Sequence, residues 1–358
     1  MIISKFPSPT VEKANGFIKL STNAIILPPS GSETFTFTKI GTGTATVLSS
    51  DESVCIASLS GNTVTVTTVG EGMSNVIVNV TEGSANKATS AVCTCINADS
   101  ILANNDPDII KQIADSGVAS LIWNVGDCTA PIIISESADL PNFTPPSYDI
   151  CAFIIGFNHN LEIEGTGIHF QLCKNNTGKD IALCDNGCGS TQTSGTWFNM
   201  KNTSSSVGGW ESSRMRTVIC PAFFLTLPQE WQNVISTTVK YTDNNGNDAN
   251  EENCVTSTSD ELFLLSEYEV FGTTRYSNSF EAYYQKRYEY YANGNSAQKY
   301  KSTSIGETNY WWLRSPRGNV EGSYTFCVAA TTSELSYHVY ANYSNGFAPG
   351  FKIGGESV

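Results

Sequence analysis

Positive charge is scarce in this sequence. Twenty Lys and Arg stand against 34 Asp and Glu in 358 residues, which leaves a formal net charge of −14. A nucleic-acid binder gains affinity by releasing counterions from phosphate and needs a basic patch to do so. The longest basic cluster, Lys299-Tyr300-Lys301, is too small for that, so no nucleic-acid partner is expected. Binding to an anionic membrane surface is disfavoured on the same ground. Long apolar runs are missing too. No segment reaches the roughly 18 apolar residues that span a bilayer, so no membrane insertion is expected. The opening residues Met1–Pro7 lack the apolar region and small-residue cleavage site of a signal peptide. The expected route out of a cell is therefore assembly into a particle after folding in cytoplasm.

Catalytic signatures are equally thin. There are three histidines, His159, His169 and His338, and no Gly-x-Ser-x-Gly elbow marks a nucleophile for them. Buried, hydrogen-bonded rings are the expectation for His159 and His169. The 34 acidic residues offer too many pairs for a glycosidase-type couple to be placed. The 11 cysteines are odd in number and have no repeated spacing, unlike a disulfide framework, and read as reduced, mostly buried thiols. No enzyme activity and no cofactor is expected.

What the chain does hold is Thr, Ser, Asn, Gly and aromatics, a mix suited to strands, turns and structured loops. It also suits recognition surfaces, where Tyr supplies rigid contact area and Ser or Asn supplies adaptable hydrogen bonds. Residues 1–16 read as an N-terminal arm. From 17 to 97 the pattern is all-β. Thr34–Thr38 and Thr63–Thr67 alternate strictly, Val76–Val80 follows a glycine turn, and Ser60-Gly61-Asn62 and Gly70-Glu71-Gly72 separate strands. The stretches Leu27–Ser32, Ser49–Val54 and Gly61–Val66, followed by Gly70–Gly72, resemble the group 2 bacterial immunoglobulin-like domain. That resemblance implies a β-sandwich acting as a spacer or docking module, as in surface adhesins and phage virion proteins.

From 98 to 358 the texture becomes α+β. Asp106-Pro107 opens a helix with Asp106 as cap, Ile109, Ile110 and Ile113 form its apolar face, and Gly117 ends it. A second helix is expected from Pro228, with Trp231, Val234 and Ile235 on one side. A third is expected from about Ser279 to Ala292, with Phe280, Tyr283, Tyr284, Tyr288 and Tyr291 on a core-facing stripe. Short strands are expected at Ala152–Phe157 and Glu261–Leu265.

Several anchors follow in order: Ile122–Asp127, Ile154–Asn160, Gly167–Gln171, Gly208–Glu211 with Met215-Arg216, Asp260–Gly272, Trp311–Pro316 and Gly346–Phe351. Together they resemble a family of uncharacterised domains of gut bacteria and their phages, marked by Trp-Trp-Leu-Arg-Ser-Pro. The layout is also similar to the C-type-lectin-like fold of phage tropism determinants and of diversity-generating retroelement targets. That resemblance implies a tryptophan-rich strand, a variable display segment and a closing Gly-Phe strand. The display and binding residues it points to are Trp311, Trp312, Arg314, Tyr324, Tyr337, His338, Tyr340, Asn342, Tyr343 and Asn345. On a strand, Trp311 and Trp312 alternate faces, so one is expected in the core and the other outward. The segment from Tyr324 to Asn345 is read as a loop framed by two rigid strands. The lectin-like fold also hosts formylglycine-generating enzymes, which use a late cysteine pair, but Cys327 stands alone in that region.

The expected function is that of a phage virion adhesin recognising a bacterial surface glycan or protein. Its N-terminal arm and Ig-like domain would meet other virion proteins, and a homotrimer is what the analogy implies. The alternatives are a structural virion component, such as a capsid decoration, head fibre or tail protein without a receptor, and a bacterial surface adhesin.

No metal is expected. Asp243–Asp248 begins like a calcium loop, but an EF-hand needs Gly at its sixth position and Glu at its twelfth, where Asp248 and Cys254 stand. Cys184, Cys188, Cys173 and His169 lack the spacing of a zinc knuckle. The pair Cys93 and Cys95, on an expected strand, is read with its side chains on opposite faces.

Overall fold

Alternating Thr with Val or Phe builds the N-terminal part of the chain. In this computed structural model, which describes residues 18–27, 30–82, 87–247, 250–318, 324–330 and 336–355, the alternation becomes two four-stranded sheets. One has the order β1 (Ile18–Leu20), β3 (Ser32–Lys39), β6 (Thr63–Thr68), β5 (Cys55–Ser60). The other has the order β2 (Ala24–Leu27), β8 (Lys87–Asn97), β7 (Gly72–Glu82), β4 (Thr44–Ser49). Phe35 lies opposite Val64 across β3 and β6, and Val76 opposite Cys93 across β7 and β8. Phe35, Phe37, Val64 and Val66 from the first sheet share one core with Val76, Val78, Cys93 and Cys95 from the second, which makes the unit a β-sandwich. Cys93 and Cys95 therefore share a face rather than opposing each other, because residues two apart on a strand point the same way. The expected arm, residues 1–16, lies outside the described residues, as do Pro28 and Pro29 of the Leu27–Ser32 stretch.

The chain divides between Ser100 and Ile101 into two compact units. The second opens with α1 (Pro107–Ser116), where Gly117 closes the helix at φ 73°, a left-handed conformation that glycine adopts at low cost. Ile110, Ile113 and Ala114 are buried, but Asp106 makes no side-chain cap bond. The central sheet runs β12 (Ile235–Ser236), β20 (Gly350–Ile353), β10 (Ile168–Asn175), β9 (Ile150–Phe157), with Phe170 opposite Phe351. β9 and β10 are buried along almost their whole length, as strands covered on both faces must be. Short helices α2 (Leu161–Glu164), α3 (Cys220–Phe224, continuing a π-helical turn over Met215–Ile219) and α4 (Gln229–Val234) lie in the connections.

Three small sheets complete this unit: β13 (Thr238–Asp243) with β14 (Val255–Asp260); β11 (Ile181–Ala182), β15 (Lys299–Lys301) and β16 (Ser304–Asn309); and β17 (Trp311–Pro316), β18 (Thr325–Ala329) and β19 (Ser336–Tyr340). Three sequence expectations change here. Glu261–Leu265 is no strand; Phe263 makes a single bridge to Gly350, and the chain then enters α5 (Glu267–Phe271). The helix expected over 279–292 is two single turns, α6 (Glu281–Tyr284) and α7 (Glu289–Ala292), with 285–288 extended between them. The interruption is tertiary. Tyr288 N–H donates to Glu269 O at 2.9 Å, Arg287 Nε to Val270 O at 3.0 Å and Gln285 Nε2 to Tyr241 O at 2.6 Å, so this segment bonds to its neighbours rather than to itself. Tyr288 and Tyr291 are buried, whereas Tyr283 is exposed. The segment read as a loop from Tyr324 to Asn345 contains β18 and β19, whose aromatic and β-branched residues suit a pleated sheet.

Candidate functional site

The strand β17 keeps the alternation expected of it, but both its faces are covered. Trp311 and Trp312 are each fully buried. Trp311 Nε1 donates to Ala297 O and Trp312 Nε1 to Phe198 O, both at 2.8 Å, so each indole N–H has a backbone acceptor. Neither ring faces outward, and neither meets an external ligand, which corrects their place among the binding residues. Gly346 presses against this strand. A Cβ there would sit 2.5 Å from Ala182 Cβ and 3.0 Å from Tyr310 O, so only glycine lets the chain pass.

Arg314 is corrected in the same way. Its guanidinium is fully buried and holds Glu269 through both arms, Nη2 to Oε1 at 2.9 Å and Nη1 to Oε2 at 2.5 Å. It also donates from Nε to Thr242 Oγ1 at 2.7 Å and from Nη1 to Leu264 O at 2.8 Å. Lys240 Nζ lies beside it, donating to Glu164 Oε2 at 2.6 Å, Glu269 Oε1 at 3.1 Å and Tyr288 Oη at 2.8 Å. His169 Nδ1 is 3.1 Å from the same hydroxyl, and His159 stacks on the Tyr288 ring at 3.8 Å. Charges taken out of water are tolerated when they are paired and their remaining donors are satisfied. Here two cations face two carboxylates.

The protonation of this network follows from its burial. Burial lowers His159 to about 3 and His169 well below the usual value, so both rings are neutral at pH 7. Burial pushes Glu164 up to about 7 against the pull of Lys240. Burial also works against ionised Glu269, but Arg314 and Lys240 outweigh it and hold that carboxyl well below the carboxylate range. Glu281, which receives the Ser315 hydroxyl at 2.6 Å, is raised by burial to about 8.

Among the described residues, His159, Glu164 and Glu269 are the one group whose ligand atoms come together as a metal would require. The Lys240 ammonium already bridges the two carboxylates, so the position a cation would take is held by the protein's own charge. The residues weighed for zinc are dispersed. Cys184 and Cys188 have sulfurs 2.8 Å apart and face Asn309, while His169 belongs to the Tyr288 cluster. The Asp243 carboxylate is taken up by the N–H groups of Asn245 and Gly246, each at 2.9 Å, and by Asn278 Nδ2 at 3.3 Å. Asp248 lies outside the described residues.

The exposed chemistry lies one strand away. β18, fully buried, pairs with β17 on one side and β19 on the other, and β19 turns Tyr337 and Tyr340 outward. A groove of about 560 Å³ opens there, and of the sequence-predicted residues it gathers Tyr324, Tyr337, His338, Tyr340, Tyr343 and Asn345. Such a volume falls within the range of small-molecule sites, about 300–1,000 Å³. Tyr337 stacks on His338 at 5.0 Å and on Tyr310 at 6.0 Å, while Tyr340 and Tyr343 stack at 6.3 Å. Asn342 is not part of the lining. Its carbonyl instead receives Gln192 N–H at 2.7 Å, and Ser344 N–H donates to Ser190 O at 2.9 Å, which fixes this side of the groove to the segment 189–192.

Sequence reasoning missed Gly189, Asn309, Tyr310, Arg317, Thr325 and Val339, which also line the groove. Arg317 directly follows the motif proline, a signal that was available. Gly189 and Asn309 arrive from other elements, and nothing local marks them. Among the described residues, four polar atoms of this lining are buried without a hydrogen-bond partner: Arg317 Nε, Thr325 Oγ1, His338 Nδ1 and Asn345 Nδ2. Burial, and next the Arg317 charge, lower the His338 pKa, so its imidazole is neutral at pH 7. Residues 319–323 and 331–335, which the sequence reading placed in the display segment, lie outside the described residues.

No helix among the described residues is long and apolar enough to cross a membrane. Comparison with curated proteins finds no match. Residues 191–355, under half of the chain, match the model of a family described as a Domain of unknown function (DUF6273), and the matched stretch takes in β17, all of the groove lining except Gly189, and Lys240, Glu269 and Arg314 of the buried network.

Proposed function

We propose that this chain is a phage virion protein that recognises a bacterial surface through the aromatic groove of its C-terminal unit. The observation that carries the reading is the groove itself. Tyr324, Tyr337 and Tyr340 stand exposed around a concavity whose lining residues also carry buried polar atoms without a partner. Exposed tyrosines backed by a rigid sheet are the chemistry of a recognition face, since each ring adds contact area with few rotors to freeze. The buried ion network supports this division of labour, because its reactive groups are shielded from any substrate and serve to hold the frame.

The N-terminal β-sandwich, through its resemblance to group 2 bacterial Ig-like domains, would dock the molecule to other virion proteins. The C-terminal unit would be C-type-lectin-like, in keeping with its small sheets and long connections, and the assembly a homotrimer. Binding would be non-covalent, weak at each site and strengthened by many copies acting together. Particles carrying Tyr340→Ala with Tyr343→Ala should adsorb to host cells at least tenfold less well than wild type, with unchanged thermal unfolding. Equal adsorption would remove the site assignment. Electron microscopy showing the groove packed against neighbouring subunits would favour a purely structural virion role.

A further inference from the structure

The described lining of the groove differs in charge from the chain as a whole. Across 358 residues acidic side chains outnumber basic ones by 34 to 20. Among the described residues, however, the groove lining holds no carboxylate, and Arg317 is its one side chain of fixed charge. No described carboxylate forms an ion pair with half-buried Arg317, whereas Lys240, Lys299 and Arg314, buried in this unit, each have one. A neutral His338 adds no competing charge.

Two kinds of surface meet here. The tyrosine faces are flat, apolar and rimmed by hydroxyls. A pyranose ring has a C–H-rich face that packs on such a ring, because the hydrogens meet the electron-rich aromatic face. The same lining residues carry buried polar atoms without a partner, the donors Arg317 Nε and Asn345 Nδ2, with Thr325 Oγ1 and His338 Nδ1 able to complete a set. A buried donor without a partner is costly in the empty protein, and a ligand oxygen that fills it regains that cost. A guanidinium is matched in shape and charge by a carboxylate or a phosphate. Nucleic acid combines phosphate with stacking bases, but the chain's net charge of −14 opposes a polyanion.

We propose that the groove takes a sugar residue bearing one negative group, a carboxylate or a phosphate, with the ring on the tyrosine faces and the negative group on Arg317. The proposal deepens the recognition reading above and rests on it. A uronic acid and a sugar phosphate of a cell-envelope polymer share this chemistry, and the test separates them.

Ligand-observed NMR on the full-length protein would compare glucose, glucuronate and glucose 6-phosphate, and the three galacto counterparts. At least one charged sugar should bind about tenfold more tightly than its neutral parent, as expected for one charge-assisted contact. Preference for the uronate or for the phosphate identifies the source. Arg317→Gln should lower the charged sugar to the level of its neutral parent, and Arg317→Lys should restore part of the difference. Equal binding of charged and neutral sugars overturns the proposal, as does a preference that survives Arg317→Gln. Binding by none of the six also overturns it. Adsorption abolished by protease treatment of the host cells, and kept after periodate, would overturn it in favour of a protein receptor. The recognition reading fails separately, if the Tyr340→Ala, Tyr343→Ala particles adsorb normally.

Discussion

β17 and β19 belong to one three-stranded sheet with a single strand between them, yet they have opposite fates. Every residue of Trp311–Pro316 is buried, whereas Tyr337 and Tyr340 of Ser336–Tyr340 stand about half exposed, at 47% and 51%. Both strands are rich in aromatics and polar groups, so composition does not separate them. What separates them is the neighbourhood. Each polar atom that β17 brings inside meets a partner contributed by another segment: Phe198 O and Ala297 O for the indoles, Glu269 and Thr242 for the arginine. On the β19 side, polar atoms are buried and left open. A satisfied polar group specifies a fold, while an unsatisfied one next to a cavity points to a ligand.

The most forceful way to break this comparison is Arg314→Ala. Removing one partner of a buried pair leaves the two carboxylates Glu164 and Glu269 to Lys240 alone and should cost about 3–5 kcal/mol, read as a lower denaturation midpoint; a loss under about 1 kcal/mol would show that the network is not structural. Trp312→Phe keeps an aromatic ring but removes one of the two donors to the Phe198 carbonyl, which still accepts Asn345 N–H at 3.1 Å. It should cost about 0.5–1.5 kcal/mol by the same measurement.

Glu281 sharpens the contrast through pH. Burial raises it to about 8 from an ordinary 4.5, so the folded protein holds a proton that the unfolded chain releases. Its stabilising share is complete below the unfolded value and is lost as pH rises toward 8. The stability of wild type relative to Glu281→Gln should therefore fall between about pH 4.5 and 8, by at most ~1.4 kcal/mol per pH unit. A difference independent of pH in urea titrations would contradict the assignment. The smallest structural effect belongs to the groove. Tyr324→Ser and Tyr340→Ser should each shift stability by no more than about 0.5 kcal/mol, as exposed positions do, while adsorption falls.

Much of this was legible in the sequence, and the failures share a cause. The N-terminal strands were readable because Thr34–Thr38 and Thr63–Thr67 alternate over a face that becomes one core. The groove tyrosines were readable because Tyr, His and Asn crowd between two motif anchors. The outward tryptophan was misread because a strand pattern shows which residues alternate but not whether the second face is covered. The helix over 279–292 was misread because its tyrosines fit a helical stripe, while Gln285, Arg287 and Tyr288 bond to Tyr241 and α5. Lys240 and Glu164 carried no signal, and Glu269 stood in the Asp260–Gly272 anchor without a role. They are ordinary polar residues until the fold brings them within 3.1 Å of one ammonium.

Oxidative footprinting of the intact protein, free and mixed with envelopes from host cells, tests the central claim most directly. Envelopes should protect Tyr324, Tyr337 and Tyr340 from modification, while Trp311 and Trp312 stay unreactive in both states. Unchanged labelling of the three tyrosines, with protection appearing elsewhere on the chain, would contradict the account.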